Sequence, residues 1–455
     1  MKFYFFHAII LASALSCASQ SSFTAAETEE DLNFRGLIRG AQDIAKPDFT
    51  QKPKTEARIS PKTKSIKAGA FAYNKIKKLT IPPSVTFIGK GAFAFNEIEE
   101  LKAPPFITGI GDWAFTGNKI KSLTLPDELS SIGSKTFTGN EIKSVNLPPS
   151  LTRIGSYAFA LNLLEEASIP RGVRVIEAWS FAANKIEKIT LPEGLTTIEK
   201  GAFSQNRIKE AAFPSSLSVI EDGAFSKNAL QKVDLPQNVK ILGARAFFKN
   251  EIKELTLSKN ISRIPEKCFA HNKIESVKLH DGISSIQAGA FFDNKINNIV
   301  IPGSVSVIGE SAFEKNELKT VRFANGTVRV IQKRAFADNL IETVNIPESV
   351  YKIEERAFAN NKISKIRTPY SVRVIGEGAF ENNSILAVEL HSEIRSLGEK
   401  AFYANPIASI RIGSGVKFKA EDLGIYGPSF FEFYVSRNKK GGLYVYKEGR
   451  WEAAR

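Results

Sequence analysis

The chain is poor in the residues that build covalent staples, metal sites and redox centres. Its 455 residues include two cysteines, one methionine, three tryptophans and four histidines. Cys17 lies at the end of an N-terminal leader, so a processed chain keeps Cys268 alone or with a lipid-carrying Cys17, and in either case no intramolecular disulfide is expected. Stability must then come from a large buried apolar area. Apolar stretches long enough to cross a bilayer are also lacking, apart from a doubtful run at the N-terminus. That run, Phe3 to Leu15 behind Lys2, ends in the small residues around Ala14-Leu15-Ser16-Cys17, the layout of a secretory signal peptide. The expectation is a signal peptide over 1–16 and export across the inner membrane. Cys17 is the candidate lipidation site. A bacterial lipobox usually carries Leu three residues before the cysteine, and Ala14 holds that place here, so plain cleavage near Ala14 or Ala18 is the alternative.

What is present in abundance is one repeated unit. Phenylalanine recurs at 71, 93, 115, 137, 159, 181, 203, 225, 247, 269, 291, 313, 336, 358, 380 and 402. Every interval is 22 residues except the 23 from Phe313 to Phe336. Such a period excludes an ordinary globular fold, which has no reason to repeat its buried positions at fixed intervals. Within the unit that starts at Phe71, the aliphatic residues at 76, 79, 81, 85 and 88 point inward, and Leu79-Thr80-Ile81 alternates as a short half-buried strand. Stacked units would place one such strand each in a parallel sheet.

Three further positions describe how the coil is held. The residue before Phe is small (Ala70, Ala92, Thr136, Ser180, Cys268), so the phenylalanines are expected to stack as a spine. Asn stands three places after Phe in all units, from Asn74, Asn96, Asn118 and Asn140 to Asn405. Its amide suits a ladder that satisfies turn backbone in its own unit and the next. Pro follows the strand in eleven units, from Pro82 to Pro369, and ends it because it cannot donate a ladder hydrogen bond. The extra residue before Phe336 is placed around Ala324-Asn325-Gly326-Thr327, where Asn-Gly turn chemistry absorbs an insertion.

The unit Ile-x-x-Leu-x-Ile-Pro-x-x-Val-x-x-Ile-Gly-x-x-Ala-Phe-x-x-Asn resembles the leucine-rich repeat of the BspA-like bacterial surface proteins. Ile76, Leu79 and Ile81 match the general Leu-x-x-Leu-x-Leu core, but Ser84 stands where Asn or Cys is usual. The resemblance implies a right-handed leucine-rich-repeat coil of about sixteen repeats with terminal caps, one short parallel strand per repeat, and an adhesive function. Residues 17–58 lack the repeat and read as an N-terminal tether and partial cap, the solenoid as 59–413, and 414–455 as a C-terminal aromatic β cap. In that last segment, Phe430-Phe431-Glu432-Phe433-Tyr434-Val435 and Leu443-Tyr444-Val445-Tyr446, around Asn438-Lys-Lys-Gly-Gly442, read as a hairpin. The tail also resembles that of spirochaetal surface proteins of this kind.

Catalytic chemistry finds little support. His280 and His391 share one repeat position but stand five units apart, roughly 24 Å at about 4.8 Å per strand, too far to share a metal. Cys268 occupies the small buried position and reads as a packed thiol. Walker, dinucleotide and Gly-x-Ser-x-Gly signatures are missing. The chain therefore reads as a non-enzyme with no cofactor and no metal.

Charge says more. The formal net charge is +14, although the clusters after Asn, among them Lys75-Ile-Lys77-Lys78, Glu97-Ile-Glu99-Glu100 and Glu251-Ile-Lys253-Glu254, together mix signs as a solvated rim would. The exposed middle residue of each strand is mostly small or neutral early in the array, as at Thr80, Thr124 and Ser168. It becomes Lys278, Val300, Arg322, Asn345, Arg367, Glu389 and Arg411 later, where the neighbouring Pro gives way to His280 and His391. Lys278, His280, Arg322, Arg367, His391 and Arg411 are thus the candidate ligand face. The expected partners are extracellular or envelope proteins or glycans, acidic ones suiting the charge. Membrane contact is expected only through a lipid on Cys17, with no nucleic acid and a monomeric state. The functional expectation is an adhesin at the cell surface or outer membrane, with a periplasmic or envelope scaffold as the alternative.

Overall fold

The computed structural model describes residues 52–424 and 426–454, so the expected signal peptide, Cys17 and most of the tether lie outside the described residues. The described chain forms a parallel β-solenoid of about 16 turns. It divides into two compact units at Leu230 and Gln231.

In the first unit, consecutive turns pair through Ser65–Ile66, Phe87–Ile88, Gly109–Ile110, Ser131–Ile132 and Arg153–Ile154, all parallel and offset by one repeat. Val175–Ile176, Thr197–Ile198 and Val219–Ile220 form the same ladder further along. These two-residue strands come from the Val-x-x-Ile half of the unit and are additional to the single strand per repeat expected from sequence. In several turns the strand is followed by glycine where the backbones come close: a Cβ on Gly89 would stand 2.7 Å from the Ile66 carbonyl oxygen. The expected strands are present as well, for instance Glu100–Lys102 beside Ser122–Thr124 and Glu166–Ser168 beside Lys188–Thr190. Each is cut short at its Pro, whose carbonyl accepts the N–H three residues on, as in Val85 to Pro82 at 3.0 Å.

The core is a column of rings. Phe93 and Phe115 stack with centroids 5.3 Å apart, and neighbouring pairs in the first unit lie between 5.2 and 5.7 Å. Two left-handed residues flank each Phe at −2 and +2, such as Trp179 (φ 59°) and Ala183 (φ 53°) around Phe181, and they fold the turn tightly enough to bury the ring. Asn118 shows how the turn is tied. Its Nδ2 donates to the carbonyls of Phe115 and, one turn back, Phe93, both at 3.0 Å, while its Oδ1 accepts the Ile98 N–H at 3.1 Å. Asn96 and Asn140 repeat the pattern, and Asn74 accepts from Lys54. The amide thus reaches its own and the preceding unit, rather than the next.

The second unit follows the same plan, with a seven-stranded parallel ladder from Arg263–Ile264 to Ser396–Leu397. Its ring column runs from Phe247 to Phe402 at 5.2 to 5.6 Å. The pairing offset changes from 22 at Ile301↔Phe323 to 23 at Val307↔Val330, which locates the inserted residue in the turn between them. At the C-terminal end, the expected strand over Phe430–Val435 is instead part of a helix, Gly427–Ser436. Pro428 suits its first turn, and Phe430 and Tyr434, four residues apart, bury one helical face where a strand would have placed both with Glu432. The hairpin is Gly442–Lys447 with Arg450–Ala453, and its first strand pairs antiparallel with Ser409–Ile412. It thereby covers an edge that would otherwise present open ladder groups. Phe430 packs on Trp451 at 4.7 Å beneath it. Asp422 completes the last turn by accepting the N–H groups of Lys400 and Lys419.

Candidate functional site

On the exposed strand face of the second unit, two groups of neighbouring strands carry candidate residues. Asn298–Ile301 lies beside Thr320–Phe323, and Lys365–Arg367 beside Ala387–Leu390 and then Ser409–Ile412. Alternation turns the middle residue of each outward. Val300, 56% exposed, is directly opposite Arg322. Glu389 stands between Arg367 and Arg411, its carboxylate oxygens 3.6 and 3.7 Å from their Nε atoms. Both guanidinium groups are well exposed and the carboxylate is partly so, so these pairs contribute only about 0–1 kcal/mol and remain exchangeable for a ligand carboxylate. Lys278 is exposed at the equivalent repeat position but in no strand.

The two histidines serve the backbone. His280 Nδ1 accepts the Gly282 N–H at 3.1 Å, so its Nε2 carries the proton and donates to the Ser258 carbonyl at 3.0 Å. The ring replaces proline as a clamp on the turn. His391 repeats the first of these bonds, its Nδ1 accepting the Glu393 N–H at 3.2 Å, but its buried Nε2 lacks the well-formed hydrogen bond to a carbonyl that His280 makes; its ring lies 4.9 Å from that of Tyr370. Burial, aided by Arg373, pushes its pKa below the ordinary histidine value although the Pro369 carbonyl and two carboxylates oppose this, so the ring is neutral at pH 7. The structure therefore brings Arg367 and Arg411 together around Glu389, places Arg322 on the same kind of face, and does not gather the histidines into a site with them. Among the described residues, no group of three or more His, Cys, Asp or Glu is arranged to hold a metal ion, and no helix is long and apolar enough to cross a membrane.

A family model described as BspA type leucine rich repeat region matches residues 42–163, 108–230, 152–276, 218–340 and 308–422. The chain belongs to the BspA-type leucine-rich repeat family. No curated protein matches it. Among solved structures, a leucine-rich repeat protein from Bacteroides ovatus ATCC 8483 is 22% identical with a TM-score of 0.55, covering 77% of this chain and 92% of its own. A leucine rich cell surface protein from Faecalibacterium prausnitzii A2-165 is 23% identical with a TM-score of 0.42, over 70% of this chain and 85% of its own. The BspA-type family is a non-enzymatic repeat scaffold whose members are generally surface proteins that bind proteins.

This BspA-type chain also carries a column that the strand positions do not reveal. Two residues before Phe, the first unit reads Gly91, Trp113, Lys135, Tyr157, Trp179, Gly201 in successive turns. The Lys135 ammonium lies 4.3 Å from the Trp113 ring centroid and 5.4 Å from that of Tyr157, and Tyr157 stacks on Trp179 at 6.0 Å. Burial pushes the Tyr157 phenol up to about 12 and lowers Lys135 against the pull of Asp112. Both indoles are more than nine-tenths buried, so the column packs the repeat and is no open ligand platform. Glycine bounds it: a Cβ on Gly201 would meet the Trp179 ring at 2.5 Å at a φ of +62°. Gly201→Ala is expected to displace Trp179 and cost about 1–3 kcal/mol, read as a red-shifted tryptophan emission together with a lower melting temperature. An unchanged emission spectrum would show that the ring is not held there.

Proposed function

We propose that this BspA-type protein is an adhesin at the bacterial cell surface, which holds host matrix, host cells or other bacteria through the exposed strand face between Lys278 and Arg411. The observation that carries this reading is where the repeat varies. Buried positions are kept from turn to turn, with Ile299, Val321, Ile366, Val388 and Ile410 all within the core. The outward residues between them become Val300, Arg322, Arg367 and Arg411. A face that is basic with one large apolar side chain suits a protein partner with exposed carboxylates, which would compete with Glu389 for its two arginines.

Two measurements test it. Protease treatment of intact cells, with a periplasmic protein as control, should remove the protein. Survival until the envelope is broken would replace the adhesin with a periplasmic scaffold. The triple variant R322S/R367S/R411S should lose about tenfold or more in attachment of whole cells to immobilised matrix proteins, with the melting temperature nearly unchanged because these pairs are exposed. Undiminished attachment would mean that the variation is repeat drift without a ligand.

A further inference from the structure

A second face of the same unit breaks its own rule. Four residues after the proline position, most turns carry Ser or Thr, and the hydroxyl donates to the backbone carbonyl of the same position one turn earlier. Thr152 donates to Ser130 at 3.2 Å and Ser218 to Thr196 at 3.2 Å; in the second unit Ser284 donates to Ser262 at 2.9 Å and Ser306 to Ser284 at 3.2 Å. The column is interrupted singly at Arg174 and Lys240, and then the hydroxyls stop. Four consecutive turns carry Arg329, Tyr351, Arg373 and Arg395.

The backbone keeps these four in line. The N–H of Tyr351 donates to Arg329, that of Arg373 to Tyr351, and that of Arg395 to Arg373, at 2.8 to 2.9 Å. The side chains are thus presented at the rung spacing of about 4.8 Å. Arg329 and Arg395 are exposed, and among the described residues neither has an ion-pair partner. Arg373 pairs with the exposed carboxylate of Glu393, and Tyr351 is 46% exposed. Tyr370, 67% exposed, stands three residues before Arg373 in the same repeat. Four hydroxyls that would each have added a ladder hydrogen bond are replaced by three guanidinium groups and a phenol turned to water.

We propose that this column binds a linear anionic polysaccharide laid across the strands. The rung spacing is about the length of one pyranose residue, so each turn meets one sugar. Guanidinium groups pair bidentately with carboxylate or sulfate, while Tyr351 offers an aromatic face to a ring between them. An acidic peptide fits less well. Its side chains on one face recur about every 6.8 Å when extended and slip out of step with the rungs. The column is separate from the strand face of Arg322, Arg367 and Arg411, so either site stands if the other fails.

The test uses the full chain and immobilised chondroitin sulfate, with chemically desulfated chondroitin and poly-glutamate alongside. The parent should bind chondroitin sulfate in a salt-sensitive way, more tightly than poly-glutamate. R329S/Y351T/R373S/R395S, which restores the hydroxyl ladder, should weaken that binding about tenfold or more, and R322S/R367S/R411S should leave it within about twofold. Should the quadruple variant fold poorly, R329S/R395S alone must still weaken binding, because neither arginine has a partner to lose. Absence of parent binding, equal capture by poly-glutamate, or undiminished binding by a folded column variant would each overturn the proposal.

Discussion

Asn118→Ala is expected to be among the most damaging single changes outside the ring column. The side chain is buried, and three backbone groups bond to it: the Ile98 N–H that it accepts and the Phe93 and Phe115 carbonyls to which it donates. Alanine leaves the Ile98 N–H without a partner in a site closed to water, while the Phe93 carbonyl keeps the Asn96 amide and the Phe115 carbonyl keeps the Asn140 amide, each at 3.0 Å. At about 1–3 kcal/mol for the unsatisfied donor and about 0.5–1.5 kcal/mol for each of the two hydrogen bonds lost to the carbonyls, the loss is a few kcal/mol, more than the deletion of one exposed ion pair. Asn118→Asp is expected to be at least as severe, because it keeps the acceptor but turns a buried carboxylate toward two carbonyl oxygens. Because each turn contacts mainly its neighbours, the damage should stay local at first. Urea unfolding followed by tryptophan emission should show an earlier or split transition, and the Ile98 amide should exchange faster with solvent. A shift below about 1 kcal/mol with unchanged exchange would mean that water or backbone adjustment replaces the amide, and the ladder would not be the tie that the geometry indicates.

The asparagine could be seen in the sequence because a backbone need recurs with the period. Phe, Asn and the aliphatic positions are required by contacts between equivalent residues in successive turns, so each appears at the same place in every unit. The second strand series was harder to read. Phe87–Ile88 and its equivalents have only two residues, too few for alternation to register, and they exist because neighbouring turns bring them together. The C-terminal helix escaped for a different reason. Phe430 to Val435 is aromatic enough to suit a strand, but Pro428 and the packing of Phe430 against Trp451 settle it as helix.

The binding face was legible only as composition. Departures from the repeat pointed to Lys278, Arg322, Arg367 and Arg411, and the structure shows them exposed. Composition could not reveal that Glu389 joins Arg367 to Arg411, since that depends on pairing across two strands. Nor could it show that His280 and His391 serve as turn clamps, because both replace Pro at a position where only the backbone geometry tells a ligand group from a brace. The Arg329 column was equally visible as letters, but its meaning comes from the Ser and Thr hydrogen bonds that it interrupts.

Loss of Arg334 is the second change expected to have a large effect. Glu314 follows Phe313, at a position that is Ala, Ser or Thr in most turns, and its side chain is only 6% exposed. The Arg334 guanidinium supplies its partner, with Nε 3.0 Å from Glu314 Oε1 and Nη2 3.0 Å from Asp338 Oδ2. Arg334→Leu would leave the Glu314 carboxylate buried and unpaired, at a cost of about 3–5 kcal/mol. Glu314→Ala/Arg334→Gly should be close to the parent or more stable. Both charges leave together, alanine restores the common residue, and glycine relieves a left-handed backbone at a φ of 55° that costs an L-residue about 1–2 kcal/mol. Comparing Arg334→Gly alone, which has the same backbone relief, with the double variant by denaturant unfolding isolates the stranded charge from the lost contacts. If the double variant were as unstable as Arg334→Leu, the arginine would be holding the inserted turn near Arg329 by packing, and the buried pair would not be the source of the loss.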